Sequence, residues 1–311
     1  MPSYNVAQFI DDALRSVFAQ TFTDYEVIVV NDGAPDTEEL ERVLEPYRER
    51  IVYIKQENRG LSGARNTAIR AARAPLIALL DPDDIWEPNY LAVQVAAMQS
   101  DPTIDVLYPN ATLFGSPLDA GRKFMDLSPS EGEVTFESLL RQRCTVMISV
   151  IARRETIMRV GMFDESLRSV EDFDLWLRII KAGGRIAYHR QAVVRYRRRP
   201  GSLSSDPVWM YQHALQVLDK AERTLDLVPA ERAVLEETRA RFRASLRFYE
   251  GKRAFTRGDA KAAIDGLSEA NLYFKSRKIA LALFFLRFAP RLLLRAYDMR
   301  DRLVLRTSTR I

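Results

Sequence analysis

Through its first 110 residues the chain alternates short apolar runs with longer helix-like stretches, and that alternation restricts its fold more than any other feature. EVIVV at 26–30, IVYI at 51–54 and PLIALL at 75–80 are rich in β-branched residues and leucine, without polar alternation. Strands covered on both faces read this way. Residues 35–47 and 61–72 between them read as helices, so the expected architecture is a doubly wound α/β sheet of parallel strands. Ligands of such sheets bind beyond the carboxyl ends of the strands. Here those ends carry Asn31-Asp32-Gly33, Gln56-Glu57-Asn58 and Asp81-Pro82-Asp83-Asp84. Three polar strand ends are thus expected at one crevice.

Further on, residues 104–108 and 146–151 read as strands, and 171–181 as a helix stopped by Gly183-Gly184. From Trp209 the strand signals give way to helical ones. The expected boundary lies near residue 205, with an α/β domain over 1–205 and an all-α region over 206–311. Residues 241–274 resemble a single tetratricopeptide-type hairpin, with Gly251, Ala254, Gly258-Asp259, Ala263 and Ala270 at packing and turn positions. One such unit cannot bury its own faces, so a plain helical hairpin is the simpler reading.

Several classes are excluded. Cys144 is the only cysteine, which rules out an internal disulfide and a cysteine-based zinc cluster and fits a reducing compartment, the cytoplasm. His189 and His213 are the only histidines, and a lone His in the strand-like RIAYHR is more often packed or solvated than catalytic. Neither a P-loop, a G-x-G-x-x-G fingerprint nor a G-x-S-x-G elbow is present. Residues 251–311 carry 14 Lys/Arg against 5 Asp/Glu, or +9; with +4 overall, residues 1–250 carry −5. The basic balance belongs to the tail, and nucleic acid is not an expected partner. MPSYNVAQF lacks the pattern of a signal peptide, and the longest apolar run, 279–286, is far short of a membrane span.

Three acidic or glycine-containing segments carry chemistry. In LLDPDD (79–84) an apolar strand delivers three carboxylates into a turn, a concentration of like charge that a hard cation such as Mg²⁺ or Mn²⁺ would offset. Taken alone, an acidic turn after a strand is more often a solvated loop or helix cap. NRGLSGARN (58–66) leads into a helix whose first N–H groups favour an anion, with Arg65 as a fork for phosphate. VEDFDLWLR (170–178) opens a helix with Glu171, Asp172 and Asp174. Acids in a first turn stabilise the helix dipole, and a carboxylate there also suits a general base.

Together these segments resemble the family-2 glycosyltransferases of the GT-A fold. The likeness runs through PSYN (2–5), QTFTDYEVIVVNDGAPD (20–36), NRGLSGARN, LLDPDDIWEPNYL (79–91), GMFDESL (161–167), VEDFDLWLR and YRRRPGSLS (196–204). It implies an inverting transfer of a sugar from a nucleotide diphosphate, with UDP the family default, to a glycan, lipid-linked or protein acceptor. It also implies roles. Pro2 and Tyr4 would line the nucleobase site, Asp32 would bond the base, Arg65 would approach the nucleotide, and Asp81 would face the ribose. Asp83, supported by Asp84, would hold Mn²⁺ or Mg²⁺; Asp172 would be the catalytic base and Glu171 its positioning partner. Competing readings are a catalytically impaired domain acting as a scaffold, and a nucleotidyltransferase, which the lack of a glycine-rich basic loop near the start disfavours.

Two departures from the family pattern follow. Relatives begin with a central apolar strand before P-x-Y-N, whereas here Met1 directly precedes Pro2; Met1 is therefore expected to be internal to a longer strand, without which neighbouring strands lack a partner. Where many relatives have histidine, this chain has Arg199, which neutralises phosphate but does not ligate a metal. In the tail, KSRKIALALFFLRFAPRLLLR (275–295) sets a basic rim beside an apolar stripe. It is expected either to lie on an anionic membrane surface at the cytoplasmic face or to pack on the hairpin or another subunit.

Overall fold

The computed structural model describes residues 1–199 and 201–288. The chain forms two compact units, residues 1–115 with 119–198, and 116–118 with the chain from Arg199 onward.

In the first unit, β1 (Pro2–Ser3), β2 (Ile28–Asp32) and β3 (Val52–Gln56) form a parallel sheet in that order, interleaved with α1 (Ala7–Phe18) and α2 (Thr37–Leu44). Ile10, Ala13, Leu14 and Val17 make the buried stripe of α1, spaced for one helical face. β2 is buried throughout, as its unbroken IVV run requires. β3 is not covered on both faces as expected. It is an edge strand with Val52 42% exposed, and its Tyr53 hydroxyl and Lys55 ammonium both donate to Glu41. The polar Lys55 and Gln56 at its end suit that edge position.

α3 (Gly60–Ala71) leads to the second sheet, built from β4 (Leu76–Ala78), β5 (Ile85–Trp86), β6 (Val106–Phe114), β7 (Ile151–Arg153) and β8 (Ile186–Arg197) in the order β4-β7-β6-β8-β5. Only β6 and β8 pair in parallel. β4, expected to be parallel, pairs antiparallel with β7, which runs opposite to β6 as the chain re-enters the sheet after residues 115–150, and β5, reversed by the turn at 81–84, pairs antiparallel with β8. The strand expected at 146–151 begins only at Ile151. α4 (Tyr90–Ser100) covers this sheet through Val95 and Met98, which pack with Ile104, Leu107 and Ile151. α5 (Phe124–Leu127), α6 (Phe136–Leu140), α7 (Arg154–Arg159) and α8 (Glu171–Lys181) complete the unit.

Between the two sheets β2 and β4 do not pair. Along that side, among the described residues, β2 pairs with β1, where Met1 N donates to Ile28 O and Met1 O accepts from Val30 N. A cavity of about 610 Å³ lies alongside, lined by Met1, Val27 and Ile28 and by Leu76, Ile77 and Ala78.

The second unit is helical, with α9 (Pro207–Thr224), α10 (Pro229–Thr256), α11 (Ala260–Phe274) and α12 (Arg277–Phe288). Asp206 caps α9 by accepting from Val208 N and Trp209 N. α10 and α11 form an antiparallel hairpin whose close approach requires glycine. A Cβ at Gly251 would lie 2.9 Å from Leu267 N, and one at Gly266 would lie 2.8 Å from Arg247 O. The turn is closed by Asp259, which accepts from Ala262 N. Of the segment 275–295, residues 289–295 lie outside the described residues.

Candidate functional site

The carboxyl end of β2 places Asp32, 2% exposed, at the head of the sheet, where its Oδ1 accepts from Gln56 Nε2 at 2.6 Å and Arg59 N at 2.9 Å. Gln56 in turn accepts from the Thr67 hydroxyl, so β2, β3 and α3 are locked together around one carboxylate. Gly33 follows in the left-handed region; a Cβ there would sit 2.9 Å from Asn58 N. Beside it, Asn5 N and Ala7 N donate to Asp36 Oδ1 and Oδ2, fixing the PSYN turn. Pro2 is buried in β1, while Tyr4 stands half exposed. Asp36 was not singled out from sequence, although its place just before α2 could have marked it as a polar anchor.

The second cluster is charged. Arg65, 3% exposed on α3, donates from Nη2 to Asp81 Oδ1 at 2.8 Å and from Nη1 to Glu171 Oε1. Arg65, expected to approach a nucleotide, has its guanidinium held between two carboxylates, one at a strand end and one at a helix start. Burial alone would lower its pKa, but Asp81 and Glu171 outweigh that and raise it. The neighbouring Asn66 is fixed too, exchanging hydrogen bonds with the Phe163 backbone, and Glu165 of GMFDESL binds both Asn66 and Arg59.

Asp172 follows Glu171 in the first turn of α8. Burial, and next the Glu171 carboxylate, push it up to about 7, with Arg65 opposing; part of its surface stays open to solvent. The residue before the pair, Val170, has φ 54° and ψ 26°, a left-handed conformation that is rare for a β-branched side chain. Asp174 does not join the cluster but pairs with Arg178 at 2.7 Å, and Arg178 also donates to Val160 O and Met162 O.

The acidic turn divides by role. Asp81 faces Arg65, and the turn closes through Asp84 N donating to Asp81 O. Asp84 is 1% exposed; its Oδ1 accepts from Arg197 N at 2.8 Å, while Oδ2 has no hydrogen-bond partner among the described residues. Burial and the adjacent Asp83 push its carboxyl well above the usual range. Arg197 also donates from Nε to Asp83 O, and its guanidinium lies over the Phe114 ring. The sequence reading passed over Arg197, hidden in a run of three arginines. Among the described residues no group of three His, Cys, Asp or Glu side chains is placed to hold a metal ion. The turn therefore offers hard oxygen ligands suited to Mg²⁺ or Mn²⁺, but too few without oxygens from a bound diphosphate. His189 bonds Gln94, and His213 bonds Trp209 O within the helical unit.

The sequence profile of Glycosyl transferase family 2 matches residues 1–164. The chain belongs to this family. Among its curated relatives is UDP-Glc:alpha-D-GlcNAc-diphosphoundecaprenol beta-1,3-glucosyltransferase WfgD of Escherichia coli, 31% identical over 208 residues, covering 66% of this chain and 78% of that one. Other relatives are longer: an Uncharacterized glycosyltransferase of Rickettsia bellii is 31% identical over 193 residues, and this chain spans 27% of its length. Solved structures share the fold. S. aureus TarS 1-349 in complex with UDP-GlcNAc aligns with TM-score 0.61 at 20% identity, over 97% of this chain and 90% of that one. Mannosyltransferase PcManGT from Pyrobaculum calidifontis in complex with GDP-Man and Mn²⁺ aligns with TM-score 0.61 at 19% identity, over 96% and 86%. The family-2 domain thus carries the GT-A fold expected from its motifs.

Proposed function

We propose that this family-2 domain transfers a sugar from a nucleoside diphosphate to an acceptor hydroxyl with inversion at the anomeric carbon. The observation that carries this reading is the Arg65 bridge, which sets the strand-end carboxylate Asp81 and the Glu171-Asp172 pair around one buried cation. Tyr4 and Asp32 receive the nucleobase, Asp81 the ribose, and Asp83 the metal. A divalent cation held by Asp83 together with the diphosphate would offset the charge of the leaving group. Asp84 keeps the supporting role its burial suggests, fixing the turn to Arg197.

Asp172 takes the proton of the acceptor hydroxyl as that oxygen forms its bond to the anomeric carbon. The bond from that carbon to the diphosphate oxygen breaks on the opposite side, and the nucleoside diphosphate leaves. A carboxyl near 7 suits this task, since it is ionised enough to accept a proton near neutral pH and basic enough to hold it. Glu171, tied to Arg65, positions the base. UDP donors are favoured because WfgD is named for UDP-Glc and TarS was solved with UDP-GlcNAc. WfgD's diphosphoundecaprenol acceptor favours a lipid-linked acceptor and action at the cytoplasmic face of the membrane. The test is release of nucleoside diphosphate from UDP-, GDP- and dTDP-sugars with Mn²⁺ or EDTA. Turnover that requires metal and is lost in Asp83→Ala and Asp172→Asn supports the proposal; a folded chain that binds no donor makes it a scaffold.

A further inference from the structure

α12 is apolar on two opposite sides. Leu283 and Leu286 are buried with Phe255, Ala263 and Leu267, and Ile279 packs against them, which anchors the helix on the hairpin. Leu281, Phe284, Phe285 and Phe288, spaced i, i+3, i+4, i+7, form a second stripe that is 58%, 56%, 37% and 74% exposed. At the preceding turn, Leu272 is 78% exposed and Tyr273 and Phe274 are about as open as Phe285. Single exposed apolar residues need no explanation, but a contiguous stripe of this kind marks an interaction surface.

The charges beside the stripe select the partner. Between Glu269 and Phe288 the sequence has four basic residues, Lys275, Arg277, Lys278 and Arg287, and no acidic one. All four are exposed. On the helix, Arg277 heads the outer stripe one turn before Leu281, and Lys278 and Arg287 lie to its two sides. A second copy docking here symmetrically would set these cations against their own counterparts, which disfavours self-association. An anionic bilayer meets both requirements, taking the phenylalanines below its headgroups and the cations among them. With 12 residues α12 is about 18 Å long, and no described helix is long and apolar enough to cross a membrane. It would lie in the plane of the interface.

We propose that the outer stripe of α12, with Lys275, Arg277, Lys278 and Arg287, docks the protein on membranes rich in anionic lipid. This surface is independent of the transferase reading, because vesicle binding can be scored whether or not sugar is transferred. The experiment is flotation of the full chain with phosphatidylcholine vesicles with and without phosphatidylglycerol, alongside Phe284→Gln/Phe288→Gln and Arg277→Gln/Lys278→Gln. Circular dichroism melts confirm that the variants fold, as substitutions at exposed positions should. Binding is expected only with phosphatidylglycerol and to weaken with salt. The charge variant should lose about 25-fold, from about 5-fold per basic residue, and the phenylalanine variant at least about tenfold. Failure of the native chain to float with anionic vesicles, or equal flotation of the folded variants, overturns the proposal. So does a dimer in light scattering that the phenylalanine variant abolishes while vesicle binding is absent, which would assign the stripe to a second copy.

Discussion

Arg65 Nη2 lies 2.8 Å from Asp81 Oδ1, with the guanidinium only 3% exposed, so the carboxyl end of a strand is tied to a helix that also grips Glu171. Removing one partner of a buried ion pair is costly because the remaining charge stays behind without compensation. Arg65→Met should therefore lose about 3–5 kcal/mol in urea unfolding. Arg65→Lys, which keeps the charge but not the two-pronged geometry, should lose less. Both should lose donor turnover. A Met variant within about 1 kcal/mol of the native chain would show that the bridge contributes little to the fold.

Asp172 gives a pH signature with a definite sign. In the unfolded chain it ionises near 3.8, in the folded chain near 7. The unfolded state thus releases its proton first, and the stability linked to this group is fully present below about 4 and declines as pH rises to about 7. Asparagine does not titrate, so Asp172→Asn should lack this decline and exceed the native chain in stability at pH 8. For turnover the sign is opposite: kcat/KM should fall on the acid side of 7 as the base becomes protonated, and Asp172→Asn should lose about 10²- to 10⁴-fold. Thermal melts and rate profiles across this range test both. A kcat/KM that does not change with pH below 7 would sink the assignment of Asp172 as the base.

Strand ends and the acid-bearing helix start were legible because each is local. Glu171 to Lys181 was expected as a helix and is one. What the sequence hid is contact between residues far apart in the chain. Arg65 reaches Glu171 across 106 positions, and Arg197 reaches Asp84 across 113. Neither contact has a periodicity to announce it. The direction of β4 was hidden for a similar reason, since a buried apolar run has the same composition whichever way its neighbour travels.

Val170 holds a left-handed conformation directly before Glu171, where a β-branched side chain costs on the order of 1–3 kcal/mol. Val170→Gly removes that strain while adding freedom to the unfolded chain. Its melting temperature should stay level or rise. Turnover should drop by up to about 100-fold, because the entry into α8 no longer fixes the Glu171-Asp172 pair and misplacement by about 1 Å is enough. A variant that melts lower and turns over normally would show that Val170 serves stability alone.

Asp84 is fixed in the acidic turn by Arg197, whereas the proposed transfer gives the adjacent Asp83 the metal. Its carboxyl is pushed well above the ordinary range by burial and by Asp83, so it favours a shared or retained proton, which asparagine imitates. Asp84→Asn keeps an oxygen for Arg197 N and relieves the like charge of Asp83; it should be neutral or stabilising, with the gain growing as pH rises. Asp84→Ala leaves Arg197 N without its partner and should cost about 1–3 kcal/mol. Asp83→Ala, in contrast, should leave the melting temperature nearly unchanged while abolishing Mn²⁺-dependent donor binding in calorimetry. If instead Asp84→Asn loses metal-dependent binding and Asp83→Ala keeps it, the two halves of the turn exchange roles.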